Sequence, residues 1–506
     1  MNDDYLTKIR NTRVYEVARE TPLDPAARLS RRFNNRIYLK REDTQPVFSF
    51  KVRGAYNKIS QLSLEAQQKG VIAASAGNHA QGVALAAEKL GINSLIVMPK
   101  TTPGIKVASV KSFGAQVTLH GNTYDAAYKH ACKLAQSNGM TFVHPYDDVD
   151  VIAGQGTIAV EILKQHTEEI YAIFVPVGGG GLIAGIAVYV KQLHPQIKVI
   201  GVEPDDAACM HDALKAGERV VLDQVGIFAD GVAVQQVGEE PFRIARDLVD
   251  EVILVSTDEI CAAIKDIFDD TRSITEPAGA LAIAGLKKYV EREGISSKSL
   301  IAIDSGANMN FDRLRHVAER AELGEHREAL IAVTIPECPG SFRKFCEIVG
   351  QRGITEFNYR YSGPKDAHVF VGVQLENGIQ EKNELVDELK AKNYSAVDMT
   401  DNEMAKIHVR YMVGGRAKNL QNECLYRFEF PERPGALLRF LNRMGQTWNI
   451  SMFHYRNQGG AYGRILTGVQ VPEGEKEDFE TFLRDLGYAY WDESDNPAYQ
   501  LFLGVT

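Results

Sequence analysis

The first 320 residues alternate between short apolar runs and longer segments whose apolar residues recur at helical spacing. The apolar runs predict strands at Val71–Ala74, Ser94–Met98, Gln116–Leu119, Ile173–Val177, Val199–Val202, Val252–Val255 and Leu300–Ile303. Helices are predicted between them, for example at Ala80–Leu90, Thr123–Asn138 and Ala278–Arg292. Because this alternation is typical of βαβ units, we expect mainly parallel sheets that are covered by helices on both faces.

One apolar stretch, Tyr171–Val190, runs for 20 residues without a charge, which is the length of a membrane-spanning helix. It contains Pro176 and the four consecutive glycines Gly178–Gly181, which would interrupt a single helix in lipid. We therefore interpret this stretch as a buried strand, a glycine-rich turn and a buried helix.

A charge-dense segment at residues 318–328 marks a change in this pattern. The segment is poor in large apolar residues, as expected for a helix end that is followed by a linker. We predict a first domain at 1–320, a linker at 321–330, and two further domains at 331–416 and 421–506.

The last two domains are predicted to be two copies of one unit. Three blocks, Ile335–Phe342, Ile354–Arg360 and Val371–Gln374, recur 95 or 96 positions later as Phe430–Leu437, Ile450–Arg456 and Thr467–Gln470. Helices are predicted at Phe342–Arg352, Glu381–Lys392, Leu437–Gly445 and Lys476–Leu486. With the strands between them, each copy has the βαββαβ order of a ferredoxin-like domain, and two copies favour a paired module over a solenoid.

The composition is that of an ordinary multidomain globular protein. The chain has 506 residues, too many for one core, of which 44% are hydrophobic and 24% are charged. Its 57 basic and 66 acidic residues give a formal net charge of −9, which argues against broad binding to nucleic acid or anionic membranes. The six cysteines show no CxxC spacing, and no basic segment with a following apolar run begins the chain. We therefore expect reduced thiols and a cytoplasmic protein.

The first candidate site is the glycine run Gly178–Gly181, which lies with Leu182 between a predicted strand and a predicted helix. Glycines let the backbone approach an anion closely, and a helix N-terminus offers free N–H groups, so a phosphate site is favoured over a simple tight turn. A nicotinamide cofactor is one alternative, because a G-x-G-x-x-A pattern begins at Gly179 and Glu203 follows the next strand.

Three other segments place candidate chemistry at predicted helix or strand ends. The sequence S-F-K-V-R-G-A-Y puts Lys51 just before a helix predicted at Gly54–Leu62, and a lysine amine near a phosphate-bearing cofactor suggests a covalent link; the alternative is a solvated surface lysine. The segment Ser75–Gly82 offers a helix start for a carboxylate, or Asn78 caps that helix. The segment Asp304–Asn308 follows a strand, and its simplest interpretation is an ordinary turn.

Together these segments resemble the serine/threonine dehydratases, a family of fold-type-II pyridoxal-phosphate enzymes. The motifs are S-F-K-x-R-G-A at 49–55, S-x-G-N-H-x-Q-G at 75–82, G-Q-G-T at 154–157, G-G-G-G-L at 178–182, T-E-P-A-G-A at 275–280 and S-G-A-N at 305–308. The C-terminal repeat is similar to the paired ACT-like regulatory domains of biosynthetic threonine deaminases. The resemblance implies an α/β catalytic region with two α/β subdomains, like the β subunit of tryptophan synthase, followed by two α+β ferredoxin-like domains.

The resemblance also implies roles for individual residues. Lys51 is the expected lysine that binds pyridoxal 5′-phosphate and carries protons, Asn78 is expected to bond the 3′ oxygen of the cofactor, and Ser305 is expected at its pyridine nitrogen. The cofactor phosphate is expected on Gly178, Gly179, Gly180, Gly181 and Leu182. The substrate carboxylate is expected on the loop Ser75, Ala76, Gly77, Asn78 and His79. Because a serine hydroxyl holds a pyridinium less well than a carboxylate does, a near-neutral ring suits β-elimination better than transamination.

The implied reaction is the β-elimination of water from L-threonine to give 2-oxobutanoate and ammonia, the first committed step of isoleucine biosynthesis. L-Serine is a second candidate substrate. The pairs Tyr359–Arg360 and Tyr455–Arg456 recur in both copies of the repeat. By resemblance they are expected to bind the inhibitor isoleucine and its antagonist valine, although simple packing of a duplicated strand is the alternative. A homotetramer is also implied.

Several alternatives stay open on the sequence alone. Within the fold they are a serine dehydratase, a racemase and a threonine synthase. Outside it they are a nicotinamide-dependent oxidoreductase and a catalytically inactive amino-acid sensor, although Lys51 and Ser305 speak against a sensor. Some family members bind a divalent cation near the position of Glu203, but Cys209 stands where they place a carboxylate. We therefore predict no bound divalent metal and a structural role for Glu203.

Overall fold

A computed structural model describes residues 2–226, 228–311, 313–361, 365–412, 417, 420–431, 438, 440–442, 447–456, 462–496, 499 and 503. The chain divides into two compact units, Met1–Gly324 and Glu325–Thr506. In the ranges given above, none of the helices combines the length and the apolar character that crossing a bilayer requires.

The first unit contains ten strands and fourteen helices within the described ranges. The strands are Leu23–Pro25 (β1), Arg36–Arg41 (β2), Val71–Ala74 (β3), Ser94–Met98 (β4), Gln116–Leu119 (β5), Thr141–Phe142 (β6), Ala172–Pro176 (β7), Lys198–Pro204 (β8), Glu251–Val255 (β9) and Ser299–Asp304 (β10). The helices are Asn2–Arg10 (α1), Ala27–Arg32 (α2), Lys51–Ser60 (α3), Leu64–Lys69 (α4), Asn78–Leu90 (α5), Gly104–Ser112 (α6), Tyr124–Asn138 (α7), Val149–Gln165 (α8), Gly181–Leu193 (α9), Cys209–Ala216 (α10), Glu239–Leu248 (α11), Thr257–Thr271 (α12), Pro277–Glu293 (α13) and Arg313–Gly324 (α14).

These strands form two sheets, one with the order β1-β2-β10-β7-β8-β9 and one with the order β5-β4-β3-β6. Every pairing is parallel except that of β1 with β2. Along β7, Phe174 packs into a core with residues of α12 and α13, while its neighbour Ile173 packs on the opposite face with residues of α8 and α9. The prediction of parallel sheets covered on both faces is therefore confirmed.

The predicted strands all form, and the uncharged stretch Tyr171–Val190 is divided between β7 and α9 with the glycines between them. The helix predicted at Gly54–Leu62 begins three residues earlier, at Lys51. The reason is that Gly54 does not start the helix but lets α3 approach α8 closely: a Cβ atom on Gly54 would lie 2.4 Å from the Gln155 side chain and 2.7 Å from the Val151 carbonyl oxygen.

The second unit contains the two repeats. The described strands are Glu328–Pro336 (β11), Ile354–Arg360 (β12), Asp366–Gln374 (β13), Ser395–Asp398 (β14), Glu423–Pro431 (β15), Asn449–Arg456 (β16), Tyr462–Gln470 (β17) and Ala489–Asp492 (β18). The described helices are Ser341–Val349 (α15), Gly378–Ala391 (α16), Glu403–Ile407 (α17) and Lys476–Leu486 (α18). The helix predicted at Leu437–Gly445 falls largely outside the described residues. The helix predicted to reach Arg352 ends at Val349, because Gly350 takes a φ of +71°.

The eight strands form one antiparallel sheet with the order β14-β11-β13-β12-β16-β17-β15-β18. Each half has the strand order of a ferredoxin-like fold, and the second half is the first in reverse, so the predicted paired module is confirmed. The two copies join through β12 and β16, where Phe357 pairs with Tyr455 and Tyr359 pairs with Phe453. These two pairings are equivalent when the copies are exchanged, so a local two-fold axis relates the copies.

Candidate active site

A cavity of about 1220 Å³ lies in the first unit, where the loops that follow β3, β7 and β10 meet α3. The carboxyl ends of parallel strands are the usual place for a ligand in such sheets. Of the residues predicted to form the site, the cavity is lined by Lys51, Ser75, Ala76, Gly77, Asn78, His79 and Gly179. The lining does not include the other predicted residues, namely Gly178, Gly180, Gly181, Leu182 and Ser305.

Lys51 is the first residue of α3, and its amine faces the cavity. The Nζ atom donates to the carbonyl oxygen of Pro145 at 2.9 Å and lies 5.2 Å from the centre of the Phe50 ring. Burial lowers the pKa of Lys51 from 10.5 to about 8, although the carboxylate of Glu276 opposes the shift. A neutral amine, which can act as a base or nucleophile, is therefore accessible near neutral pH.

The position of Lys51 is fixed from behind by Arg53, whose side chain is fully buried. Its guanidinium group pairs with Glu42 at 2.7 Å and with Glu161 at 2.6 Å, and Glu161 also pairs with Lys40 at 2.6 Å. These ion pairs connect the first turn of α3 to β2 and α8. The amine is thus presented to the cavity from a rigid helix start.

The Ser75–His79 loop ends where α5 begins, at Asn78. Gly77 is the residue that precedes the helix, and no side chain caps this helix start, so the interpretation of Asn78 as a cap is wrong. Within the described residues, the backbone N–H groups of Ala76, Asn78 and His79 have no hydrogen-bond acceptor. Free N–H groups at a helix start suit a carboxylate.

The side chain of Asn78 is held by Glu276 and Asn308. Both lie within the motifs given above, but no role was predicted for either from the sequence. Its Nδ2 donates to Glu276 at 2.6 Å, and its Oδ1 accepts from the Nδ2 of Asn308 at 2.7 Å. Asn308 also donates to the carbonyl oxygen of Val47 at 2.8 Å. These contacts fix the orientation of the Asn78 amide and leave one of its N–H bonds for a ligand oxygen. Burial raises the pKa of Glu276 to about 7.

The glycine run fits a phosphate group. No described residue accepts a hydrogen bond from the backbone N–H groups of Gly178 through Leu182, which lead into α9. Gly180 takes a φ of +91°, and a Cβ atom on Gly179 would lie 2.2 Å from the ring of Tyr146. Glycine is therefore required at both positions, and the loop presents open backbone donors at a helix N-terminus.

Ser305 follows β10 and is 3% exposed. Its hydroxyl donates to the carbonyl oxygen of Ala278 at 3.4 Å, and its own carbonyl oxygen accepts from the N–H of Phe50 at 3.3 Å. The second contact links the loop after β10 to the residue that precedes Lys51. Ser305 is thus held next to the start of α3.

The segment 143–147, of which residues 144–147 form one wall of the cavity, is absent from the sequence predictions. Its carbonyl oxygens accept from two site residues, Val143 from the Nε2 of His79 at 2.9 Å and Pro145 from Lys51. The wall follows β6, a strand of only two residues, Thr141 and Phe142. So short a strand has no recognisable alternation, and only the neighbouring G-Q-G-T motif pointed to this part of the chain.

Glu203 is buried, and its oxygens accept from the backbone N–H groups of Met210 and His211, both at 2.8 Å. Burial raises the pKa of Glu203 to about 8. The carboxyl group thus caps α10 and does not reach the cavity, which removes the ribose contact on which the nicotinamide alternative depends. Among the described residues, no group of three His, Cys, Asp or Glu side chains is arranged to hold a metal ion.

The predicted effector residues lie on β12 and β16 of the second unit. Tyr359 is buried, and its hydroxyl donates to Glu337, which also accepts from Asn449 of the other copy at 3.0 Å. Arg360 points to the opposite face of the sheet and pairs with Glu423. Tyr455 is buried in the same core as Tyr359, whereas the side chain of Arg456 lies outside the described residues.

Comparison with known proteins agrees with this geometry. Residues 14–306 match the family model described as "Pyridoxal-phosphate dependent enzyme", and residues 319–409 and 414–503 each match the model of the "C-terminal regulatory domain of Threonine dehydratase". The chain is 57% identical over 503 residues to L-threonine dehydratase biosynthetic IlvA of Burkholderia multivorans, covering 99% of both chains. It is 54% identical over 500 residues to the Escherichia coli protein of that name, covering 99% of this chain and 97% of the other.

A solved structure with the same fold is the processed form of threonine deaminase isoform 2 from Solanum lycopersicum. It is 52% identical, superposes with a TM-score of 0.62, and covers 63% of this chain and 93% of its own. Pyridoxal phosphate is the cofactor that the family match assigns, and the open N–H groups before α9 fit its phosphate. The chain therefore belongs to the biosynthetic L-threonine dehydratases, a family of pyridoxal-phosphate-dependent lyases.

Proposed function

We propose that this enzyme is a threonine ammonia-lyase that converts L-threonine to 2-oxobutanoate and ammonia, the first committed step of isoleucine biosynthesis. The observation that carries the proposal is one cavity in which the amine of Lys51, with a pKa of about 8, meets the open N–H groups before α5 and a glycine loop that leads into α9. When bound, pyridoxal phosphate supplies an electron sink that acidifies the Cα–H bond of an amino acid.

Lys51 removes the proton from Cα of the substrate. This step needs a neutral amine, which the lowered pKa provides close to physiological pH. The carbonyl oxygen of Pro145 orients the amine, and the buried pairs of Arg53 keep the start of α3 in place. The proton is therefore transferred within a fixed geometry.

The remaining predicted residues bind and orient the substrate and the cofactor. The free N–H groups of Ala76, Asn78 and His79, with the hydroxyl of Ser75, hold the substrate carboxylate. The backbone of Gly178, Gly179, Gly180, Gly181 and Leu182 holds the cofactor phosphate. Asn78 donates to the 3′ oxygen of the cofactor from the N–H that Glu276 leaves free, and Ser305 partners the pyridine nitrogen.

The proposal is tested by incubating the purified holoenzyme with L-threonine and measuring 2-oxobutanoate and ammonia. We expect both products in equal amounts, and pyruvate from L-serine at a lower or comparable rate. Release of D-allothreonine from L-threonine, or of D-serine from L-serine, without the oxo acid would instead favour a racemase of the same fold.

We also propose feedback inhibition by isoleucine, relieved by valine, through a site that includes Tyr359, Arg360, Tyr455 and Arg456. The pairing of β12 with β16 supports this, because it places Tyr359 and Tyr455 two register positions apart on the strands through which the copies join. Isoleucine inhibits only if it prefers a low-activity state. Saturating isoleucine is expected to shift the threonine saturation curve to higher concentrations, and an unchanged curve would contradict the proposal.

The family resemblance further supports a homotetramer in the cytoplasm. Light scattering of the purified enzyme during size-exclusion chromatography is expected to give four times the mass of the 56.0 kDa chain. A mass of one or two chains would overturn the tetramer and leave the proposed reaction unaffected.

A further inference from the structure

His144 lines the same cavity as Lys51 but belongs to none of the sequence motifs. Its Nδ1 accepts from the backbone N–H of Asp147 at 2.8 Å and from that of Tyr146 at 3.4 Å. A nitrogen that accepts hydrogen bonds carries no proton, so the neutral ring has its proton on Nε2. Burial lowers the pKa of His144 and outweighs the opposing charge of Asp147, so the ring stays neutral.

The ring of His144 is also held in place by its neighbours. Tyr146 meets it edge to face at 4.7 Å between ring centres, and Tyr128 does so at 6.3 Å. Among the described residues Nε2 has no hydrogen-bond partner, and it is not sealed from the cavity. The protein therefore presents a fixed and unused donor next to Pro145, whose carbonyl oxygen holds the amine of Lys51.

His79 has the opposite arrangement on the same cavity. Its Nε2 bonds to the carbonyl oxygen of Val143, which can only accept, so the proton of His79 is on Nε2 and its Nδ1 is an acceptor. Burial lowers the pKa of His79 to about 3. The cavity thus has two neutral histidines, of which His144 alone offers a donor.

We propose that His144 is a substrate-binding residue whose Nε2–H donates to the β-hydroxyl oxygen of the amino acid; this inference rests on the proposed function. The substrate carboxylate already has the N–H groups before α5 and Ser75, and the ammonium group is itself a donor. The β-hydroxyl oxygen is the one remaining acceptor. His144 keeps its proton, and its hydrogen bond stabilises the negative charge that develops on the departing oxygen.

Two substitutions separate the donor from the structural role of the ring. In His144→Asn the side-chain oxygen replaces Nδ1, so Tyr146 and Asp147 keep an acceptor while the donor at Nε2 is lost. In His144→Gln the side-chain NH₂ group reaches toward the former Nε2 position and restores a donor. His166→Asn is a matched control, because His166 is buried in the same unit, bonds to Ser299 and does not line the cavity.

Each variant is assayed as holoenzyme with L-serine and with β-chloro-L-alanine, which both give pyruvate and differ only in the leaving group. Chloride is a weak acceptor and leaves without a donor. We expect His144→Asn to lower kcat/KM for L-serine by about 10- to 100-fold, the effect of one lost hydrogen bond to a developing charge. Turnover of β-chloro-L-alanine should stay within about threefold of wild type, and His144→Gln should recover part of the L-serine rate.

A parallel loss with both substrates, or no loss with either, would overturn the role of His144. His166→Asn is expected to leave the ratio of the two rates at the wild-type value. Unfolding temperature and cofactor absorbance identify a variant that has lost its fold. Failure of the proposed function would appear separately, as a wild-type enzyme that releases no 2-oxobutanoate from L-threonine, and would overturn both.

Discussion

Two basic residues that lie two positions apart on α3 have opposite surroundings. Arg53, fully buried, is paired with the carboxylates of Glu42 and Glu161. Lys51, at the cavity, donates to a neutral group, the carbonyl oxygen of Pro145. Burial lowers the pKa of both groups, but the two carboxylates reverse its effect at Arg53, so the pKa of Arg53 ends above its ordinary value while that of Lys51 falls to about 8.

This difference shows how one turn of helix combines structure with reactivity. A cation that is paired twice stays charged at every physiological pH and anchors the helix. A cation that is desolvated without an adjacent counter-charge loses its proton easily. We therefore expect Arg53 to determine the stability of the catalytic unit and Lys51 to determine its reactivity.

Removing the amine of Lys51 tests the chemistry most directly. Lys51→Ala removes the base, and we expect kcat/KM for L-threonine to fall by about 10³-fold or more, as measured by 2-oxobutanoate release. The control is Lys58→Ala, on the same helix but paired with Asp148 and Asp150 outside the cavity lining, which is expected to retain near-wild-type activity. Wild-type turnover by the Lys51 variant would contradict the assignment.

Removing the guanidinium group of Arg53 tests how much its ion pairs contribute to stability. Arg53→Met leaves Glu42 and Glu161 buried without their main partner, and we expect the free energy of unfolding of the catalytic unit to fall by about 3–5 kcal/mol. Denaturant unfolding followed by cofactor absorbance measures the loss. Arg53→Lys keeps the charge but loses the forked geometry of the guanidinium group. Its free energy of unfolding should therefore lie between those of the wild type and Arg53→Met. A change below about 1 kcal/mol would mean that the pairs do not anchor α3.

The pH dependence of stability separates the two groups again. The pKa of Lys51 is about 8 in the folded protein against an ordinary value of 10.5, so the unfolded chain binds this proton more tightly. The cost of burying the charged amine is full below pH 8 and disappears as the pH rises to 10.5. In the cofactor-free protein this group is expected to raise the free energy of unfolding by about 3 kcal/mol across that window.

Lys51→Met has no charge to bury, so its unfolding free energy should exceed that of the wild type at pH 7 and approach it at pH 10.5. Urea unfolding of both cofactor-free proteins between these pH values gives the difference. A difference that does not change with pH would show that the amine of Lys51 is solvated as in the unfolded chain.

The fold was largely predictable because its signals are local. The apolar runs at β3, β4 and β5 stand between polar segments and give the strand bounds directly, and the repeat blocks predict the paired module. The start of α3 was placed too late, because Gly54 reads as a helix boundary in sequence but serves close packing against Gln155 of α8. That reason depends on a residue about 100 positions away.

The candidate site was predicted as separate motifs, but not as an arrangement. Lys51 and the glycine loop were found because their motifs are distinctive. His144 and Pro145 were missed because they act through one backbone acceptor and one ring tautomer, and neither leaves a pattern in sequence. Glu276 and Asn308 lay inside quoted motifs, but their contacts with Asn78 join residues that are about 200 positions apart.

Glu276 offers the finest test of the contrast between the two basic residues. Its carboxylate opposes the fall in the pKa of Lys51, and above pH 7 it is largely ionised. Glu276→Gln keeps an oxygen that accepts from Asn78 but removes the charge, so the pKa of Lys51 should fall further below 8, by about one unit or less.

The rate at which the cofactor-free protein takes up pyridoxal phosphate, followed by absorbance against pH, reports this pKa because only the neutral amine reacts. The acid limb of the curve of uptake rate against pH should therefore move to lower pH in Glu276→Gln. Glu203→Gln, which alters a buried carboxyl group that does not act on Lys51, should leave the limb in place. An acid limb that moves to higher pH in Glu276→Gln would mean that the hydrogen bond to Asn78, and not the charge of Glu276, controls the amine.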